Sequence, residues 1–424
     1  MRTVCFCNSN IPWGGGEKWH LEAALALARR GWRVLFLCRH NGELHRRLQD
    51  AAGVRILPLA LGRYSFLNPL KRARLTRLFK REGVDAVIMN LPADLKAVAP
   101  AARAAGVEHI VYRRGSALPV RDSLLNRRLY GKVITRLIVN SEATRRQVLI
   151  NNPALIAPER ITMLPNSLDT AAFDEALQAA KRSAILSLLP APLSSPPTFL
   201  IGNAGRLTRQ KGQHLLLHLC RRLLDAGLDC AVIIAGTGER EAELQGLAKR
   251  LGLGDRAVFT GFMADLAPFW RSIDLFVLSS LWEGFGSVLL EAMLARRPVF
   301  AFAVSNIPEL IFEGGPDGIG NGRLFPLPAE EIPYCPDISD RGGLSAPATG
   351  RGQASSPPSP EKRGAWRVPG GSERAYSSLD AMVRATLELA AHPESGKSMG
   401  EAGRRFALRF SQETCMSRLE ELLA

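Results

Sequence analysis

The sequence predicts an α/β protein made of two doubly wound parallel-sheet domains in tandem, and three observations lead there. Short apolar runs rich in β-branched residues alternate with longer stretches of helical periodicity. The alternation stops at P-A-P-L-S-S-P-P, which begins at Pro190, and then restarts. The chain has 424 residues, 46% of them hydrophobic, which is more than one ordinary core organises.

Taken in order, the first seven strands are expected at Thr3–Asn8, Arg33–Cys38, Val54–Leu57, Ala86–Asn90, His109–Tyr112, Leu137–Asn140 and Ile161–Leu164, with helices between them. The first domain thus spans residues 1–190. The second, residues 191–395, opens with T-F-L-I-G-N-A and continues through a helix from about Gln213, C-A-V-I-I-A-G, a helix from Glu239 and A-V-F-T-G. L-F-V-L-S, a helix from Phe285 and P-V-F-A-F-A follow. Residues 328–374 include S-A-P-A-T-G-R-G-Q-A-S-S-P-P-S-P-E-K-R-G, which holds almost nothing to bury and reads as a disordered insertion. Helical periodicity resumes at Leu379. The last stretch, 396–424, reads as a strong amphipathic helix expected to pack back on the first domain. No repeat of 20–50 residues is visible, which argues against a solenoid.

Composition narrows the function. Seven cysteines without framework spacing suit a reducing compartment, and no stretch has the length or apolarity of a signal peptide or membrane span, so a cytoplasmic protein is expected. The net charge is +15, but residues 1–190 hold 30 Lys+Arg against 14 Asp+Glu, while residues 191–424 hold 25 against 26. All of the excess lies in one half, which implies an anionic partner that meets only that half.

Three stretches carry candidate chemistry. Gly14, Gly15 and Gly16 join the first strand to a helix beginning near Glu17, where bare amides and the helix dipole favour an anion; a tight turn without ligand is the plainer alternative. In the second domain, G-R-L-T-R-Q-K-G follows a strand and places Arg206 and Lys211 around one turn, suited to gripping a diphosphate; a solvated basic loop is the alternative. The third is L-W-E-G-F-G-S-V-L-L-E-A-M. Here Glu283 precedes a helix starting near Gly286, and Glu291 lies inside that helix on an apolar face. A buried carboxylate needs a partner, either an internal cation or ligand hydroxyls such as those of a ribose.

Together E-G-F-G-S-V-L-L-E, with seven residues between its glutamates, G-R-L-T-R-Q-K-G, I-I-A-G-T-G-E-R-E, F-T-G-F and I-P-E-L-I resemble the retaining glycosyltransferases of family GT4. The resemblance implies the GT-B fold, two Rossmann-like domains facing each other across a cleft that holds a nucleoside-diphosphate sugar. It implies that Arg206 and Lys211 hold the diphosphate, that Glu283 contacts sugar hydroxyls and that Glu291 binds the ribose. Phe262 and Met263 would place the base, Gly236 and Gly238 would allow close approach, and the amides of Gly286, Ser287 and Val288 would point at the phosphate. Gly15 and Gly16 would close over it from the first domain.

Three departures stand out. Where the family often has a histidine, this chain has Arg113 and Arg114, which cannot act as bases but suit an anionic donor or acceptor group. His109 reads as a core residue, Ser167 stands where glycine is usual, and S-N-I-P-E lacks the common Gly-Gly. Transfer with retention is implied, with no cofactor beyond the nucleotide-sugar co-substrate and no metal, since no metal-ligand cluster is apparent and Cys5-x-Cys7 reads as structural. The acceptor implied is a glycolipid or saccharide, with a lipopolysaccharide core or other cell-envelope glycolipid foremost. The basic, leucine-rich stretch Arg63–Arg81, echoed from Arg121, reads either as a helix resting on an anionic inner leaflet or as a sheet-covering helix with a solvated face. A GT-B nucleotide-sugar 2-epimerase and a basic nucleic-acid-binding protein are the competitors; nucleic acid is not the expected partner, because it accounts for neither Glu283 nor Glu291.

Overall fold

The structure is a computed structural model that describes residues 1–181, 197–331 and 378–423, apart from positions 12, 50, 60, 63, 316–317 and 329–330. The expected linker at 190 and nearly all of the 328–374 insertion therefore lie outside the described residues.

Seven strands form the first sheet: β1 (Thr3–Asn8), β2 (Arg33–Cys38), β3 (Val54–Pro58), β4 (Ala86–Met89), β5 (His109–Arg114), β6 (Arg136–Val139) and β7 (Ile161–Met163). Six form the second: β8 (Phe199–Ala204), β9 (Cys230–Ala235), β10 (Ala257–Gly261), β11 (Leu275–Leu278), β12 (Val299–Phe302) and β13 (Arg323–Phe325). Helices α1 (Gly15–Arg29), α2 (Glu43–Leu48), α3 (Pro69–Arg81), α4 (Pro92–Ala105), α5 (Leu124–Arg128), α6 (Glu142–Leu149) and α7 (Thr170–Ala179) belong to the first half. Helices α8 (Gln213–Asp225), α9 (Glu241–Arg250), α10 (Ala267–Ser272), α11 (Ser287–Leu294), α12 (Ser378–Ala391), α13 (Pro393–Ala407) and α14 (Gln412–Leu423) belong to the second.

All strand pairs are parallel, in the orders β3-β2-β1-β4-β5-β6-β7 and β10-β9-β8-β11-β12-β13. Strand direction of travel reverses beside β1 and again beside β8, and at such switch points the connecting loops diverge and leave a crevice at the carboxyl ends of the strands. Helices cover both faces, so the strands read as continuous apolar runs: every residue of β1, β4, β8, β9, β11 and β12 is buried.

Local chemistry sets the helix starts. The Asn68 side chain accepts from the amides of Leu70 and Lys71 ahead of Pro69, and Ser141 accepts from the amide of Thr144. Leu75 and Phe79 of α3 face the core, while Arg72, Arg74, Arg77, Lys80 and Arg81 are exposed. The helix thus covers the sheet and presents a basic face at the same time.

The chain crosses between the sheets earlier than position 190. Leu168 donates to the Phe410 carbonyl (2.9 Å) and accepts from the Gln412 amide (2.8 Å), α7 packs on α10, and Leu168 and Leu177 join the second domain's core. The return is also later than expected. Residues 393–407 stay on the second domain, with Gly400 and Gly403 against Arg296 and Met293. Only α14 packs on the first, burying Cys415, Met416, Leu419 and Leu423 beside Trp19 and Leu27.

Candidate active site

The two crevices face each other and enclose one cleft of about 690 Å³. Its walls include Gly15, Gly16, Arg113, Arg114, Arg206, Lys211, Gly236, Phe262, Met263, Glu283, Gly286, Ser287, Val288 and Glu291, so residues nearly 280 positions apart in sequence meet at one place. Gly238 is the exception among the candidates. It lies outside the lining, and a Cβ there would come within 2.4 Å of the Leu207 carbonyl oxygen, so its small size serves the packing of one loop on another.

Lys211 and Glu283 are set opposite each other by stitched loops. The Leu281 amide donates to the Gln210 carbonyl (2.8 Å), the Gln210 side chain donates to the Trp282 carbonyl (3.0 Å), and the Ser279 hydroxyl donates to the Lys211 carbonyl (2.8 Å). Lys211 Nζ then lies 2.6 Å from Glu283 Oε1, which also accepts from the Ser280 hydroxyl. The Glu283 amide donates to Ser305 Oγ at 2.9 Å. Glu283 is 6% exposed, so its charge is balanced locally rather than by water. Arg206, by contrast, is exposed on the cleft wall, and its guanidinium has no protein partner among the described residues.

Gly286 caps the helix Ser287–Leu294 at φ +77°, a conformation that glycine adopts without strain, and the first amides of that helix open onto the cleft. Gly236 allows a second close approach, since a Cβ there would stand 2.0 Å from the Gly205 carbonyl oxygen. Phe262 is 73% exposed at the rim, where a flat ring is available for stacking.

Glu291 does have a partner, and it comes from the other domain: Lys18 Nζ lies 3.6 Å from Glu291 Oε1 and 3.9 Å from Glu22 Oε1. One ammonium is shared by two carboxylates. Burial pushes the Glu291 carboxyl above its ordinary range and Lys18 pulls it down. Burial likewise pushes Glu22 up to about 7, with Lys18 opposing and Glu291 adding to the rise.

Arg113 and Arg114 sit inside β5, two residues beyond where the strand was expected to end, and both are buried. Arg113 Nη1 donates to Asn90 Oδ1 (3.1 Å), Nη2 donates to Asn166 Oδ1, and its guanidinium lies 4.4 Å from the Trp19 ring centre. No carboxylate forms a salt bridge with it among the described residues, and burial lowers its pKa to about 10, with Glu17 and Glu22 raising it in part. Asn166 in turn donates to Ser287 Oγ at 3.1 Å, joining this arginine to the helix start across the cleft. Arg114 donates to the Leu118 carbonyl at 2.6 Å. His109 is half-buried at the far end of the strand, and the Cys5 and Cys7 sulfurs lie 4.0 Å apart in the core.

Sequence reasoning missed Lys18, Glu22, Asn90, Asn140, Asn166 and Ser305. Only Lys18, two residues after Gly16 in the first helical turn, carried a local signal. No group of three or more metal-ligating side chains occurs among the described residues, and no helix among them is long and apolar enough to cross a membrane.

Comparison with known proteins agrees with this geometry. Residues 13–172 match the family model of Glycosyltransferase Family 4, and residues 191–332 match that of Glycosyl transferases group 1. The lipopolysaccharide core biosynthesis mannosyltransferase LpsB of Rhizobium meliloti is 34% identical over 36% of the chain and 43% of its own length. The same organism's lipopolysaccharide core biosynthesis glycosyltransferase LpsE is 26% identical over 75% of the chain and 85% of its own length. Four further relatives are spanned for less than a third of their length, as with the alpha-D-kanosaminyltransferase of Streptomyces kanamyceticus at 29%. Anabaena HepE, crystallised with UDP and glucose, superposes with a TM-score of 0.71 over 100% of the chain and 99% of its own at 20% identity, which shows a shared fold. Two facing Rossmann-like sheets, the two matched family models and these relatives place the chain among the GT4-type glycosyltransferases of GT-B fold.

Proposed function

We propose that this protein transfers a sugar from a nucleoside diphosphate to a cell-envelope glycolipid acceptor, foremost a lipopolysaccharide core, with retention at the anomeric carbon. The observation that carries the reading is the Lys211–Glu283 pair, 2.6 Å apart beside a helix start and beside Arg206, which has no partner among the described residues, in one cleft. An arriving diphosphate competes with Glu283 for Lys211. Lys211, Arg206 and the amides of Gly286, Ser287 and Val288 then hold the phosphates and offset the charge that builds on the leaving group. Glu283, released from the lysine, accepts from sugar hydroxyls. Glu291 exchanges Lys18 for ribose hydroxyls, Phe262 and Met263 take the base, Gly236 gives room for close approach, and Gly15 and Gly16 cover the diphosphate from the first domain. The protein's cations supply this stabilisation without a metal.

Arg113 and Arg114 face the same space from the first domain, where they suit an anionic group on donor or acceptor. LpsB and LpsE act in lipopolysaccharide core synthesis, and HepE was crystallised with UDP and glucose; these printed descriptions support the acceptor and donor classes proposed. The basic face of α3, with Leu67 and Leu70 67% and 68% exposed beside it, suits an anionic membrane surface that delivers a lipid-linked acceptor.

Thermal-shift binding of UDP, GDP, ADP and CMP, alone and as sugar conjugates, tests the donor site. One nucleoside diphosphate should raise the midpoint, by about 2.7 kcal/mol of stabilisation at a hundredfold excess over Kd. Glu291→Ala and Lys211→Ala should abolish the rise while remaining folded. A wild type that none of them stabilises would remove the donor assignment.

A further inference from the structure

We infer that Glu309 and Asn140 form a latch that holds the two domains closed over the cleft, which makes them positioning residues for transfer. The Glu309 carboxylate, carried by the turn Ile307–Glu309 of the second domain, accepts the amide of Glu142 at Oε2 (2.8 Å) and that of Ala143 at Oε1 (2.6 Å). Those are the first two amides of α6 in the first domain, which have no partner within their own helix. A carboxylate at a helix start gains from both the bare amides and the helix dipole. Arg146 of the same helix lies 4.0 Å from Glu309 Oε1.

Asn140, two residues before α6, adds a second clasp. Its Nδ2 donates to the Gly284 carbonyl at 2.9 Å and to the Gly115 carbonyl at 3.1 Å, tying the loop after Glu283 to the loop after β5. The approach is tight, since a Cβ on Gly284 would stand 2.8 Å from the Gly115 oxygen.

The segment that carries Glu309 also grips the donor loop. Ser305 accepts the amide of Glu283 at 2.9 Å, and the buried Asn306 donates to the Phe285 carbonyl at 2.9 Å. Within five residues, 305–309, the side chains of one short segment thus hold the loop that carries Glu283 and reach the other domain. A donor that settles the loop thereby presents Glu309 to α6. Arg113 and the Gly15–Gly16 turn, on the far wall, meet a donor held on the second domain only when the domains are closed.

The inference rests on the cleft being the donor site, and two readouts separate the two ideas. Glu309 is surface-accessible, so Glu309→Ala should fold. Glu142→Pro attacks the same latch from the other side. It removes one amide donor at a position where proline fits, because Ser141 is extended at φ −160° and ψ 162°. In each variant, kcat/KM for the donor should fall about 5- to 100-fold, while the Kd for free nucleoside diphosphate stays near the wild-type value. X-ray scattering of the ligand-free protein should show a larger radius of gyration than wild type. The double variant should lose little beyond either single one, because both break one contact. Unchanged scattering with unchanged turnover would overturn the latch. So would a loss of nucleotide affinity that matches the loss of turnover with no expansion, since Glu309 would then act on the donor loop alone. If no nucleotide binds even the wild type, the donor reading fails, and expansion or its absence still decides the latch.

Discussion

The first sheet meets the cleft with a buried arginine held by two asparagines, whereas the second meets it with a compensated ion pair, Lys211–Glu283, and tight glycine turns. The second domain's arrangement is local. Arg206 to Gly212 and Glu283 to Glu291 are two short stretches, and between them Lys211 and Glu283 balance each other before any ligand arrives. The first domain's arrangement is assembled from the ends of different strands. Arg113 comes from β5, Asn90 follows β4 and Asn166 follows β7. Its charge rests on neutral amides, and over residues 1–190 the chain carries sixteen more basic than acidic residues, 30 against 14. A nucleoside diphosphate is a common ligand that a short motif can hold. The opposite wall is left to specify what is particular to this enzyme.

If that division is right, substitutions on the two walls should separate kinetically. Lys211→Ala and Glu283→Gln remove the groups proposed to meet the reacting phosphates and sugar, and each should lower kcat/KM about 100- to 1000-fold, Lys211→Ala with weakened nucleotide binding. Arg113→Gln should leave nucleotide binding near wild type and lower turnover about tenfold, less than either of the others. Steady-state kinetics beside calorimetric nucleotide titration reads both. Equal loss of nucleotide affinity in Arg113→Gln would place this arginine on the diphosphate and dissolve the distinction.

The same contrast governs what was legible in the sequence. The strands Thr3–Asn8, Arg33–Cys38 and Phe199–Ala204 announce themselves by the apolar runs V-C-F-C, V-L-F-L-C and F-L-I, because both of their faces are buried. The candidate donor residues were legible because their spacing along the chain is their spacing in space. β5 is expected to end at Tyr112 but runs on through two buried arginines, and it takes the Trp19 ring and two asparagines distant in sequence to hold Arg113 at the wall of the cleft. β13 has three residues after a glycine-rich stretch, too few for any periodicity. The crossing at Leu168 and Phe410 depends on backbone bonds between positions 242 residues apart, for which neither segment carries a composition signal.

The seam between the domains sharpens the comparison through pH. Lys18 serves Glu22 in its own domain and Glu291 in the other, so one carboxylate is always under-compensated. Burial raises Glu22 to about 7 in the folded protein, against about 4.3 in an unfolded chain. Between those values the native state binds the extra proton. The stability this contributes is therefore fully present below about pH 4 and is lost as pH rises towards 7. Glu22→Gln removes the titration, so its stability relative to wild type should improve by roughly 1–3 kcal/mol between pH 5 and pH 8. Urea midpoints at the two pH values measure it, and a difference between the proteins that does not change with pH would rule this account out.

A last expected effect concerns the outer face of the basic domain, where function and fold should come apart. Leu75 and Phe79 already give α3 its core contact, so its exposed cations are not needed for folding. Arg74 and Arg77 are exposed on that face, Leu67 and Leu70 are exposed at its start, and Leu124 is 84% exposed on the basic helix α5. Exposed leucines among arginines cost solubility in water but gain at a lipid boundary, where each cation near an anionic surface is worth about 1 kcal/mol. Arg74→Ser with Arg77→Ser should therefore weaken binding to anionic vesicles about 30-fold. Midpoint of unfolding and nucleotide binding should be unaffected. Added salt should weaken the wild-type interaction in the same direction, since the Debye length is about 10 Å at 0.1 M. Sedimentation with anionic and zwitterionic vesicles distinguishes the outcomes. Equal binding to both lipids, or a double variant that binds like wild type, would mean that the basic face is a solvated covering of the sheet and that the charge asymmetry between the domains answers to the acceptor inside the cleft.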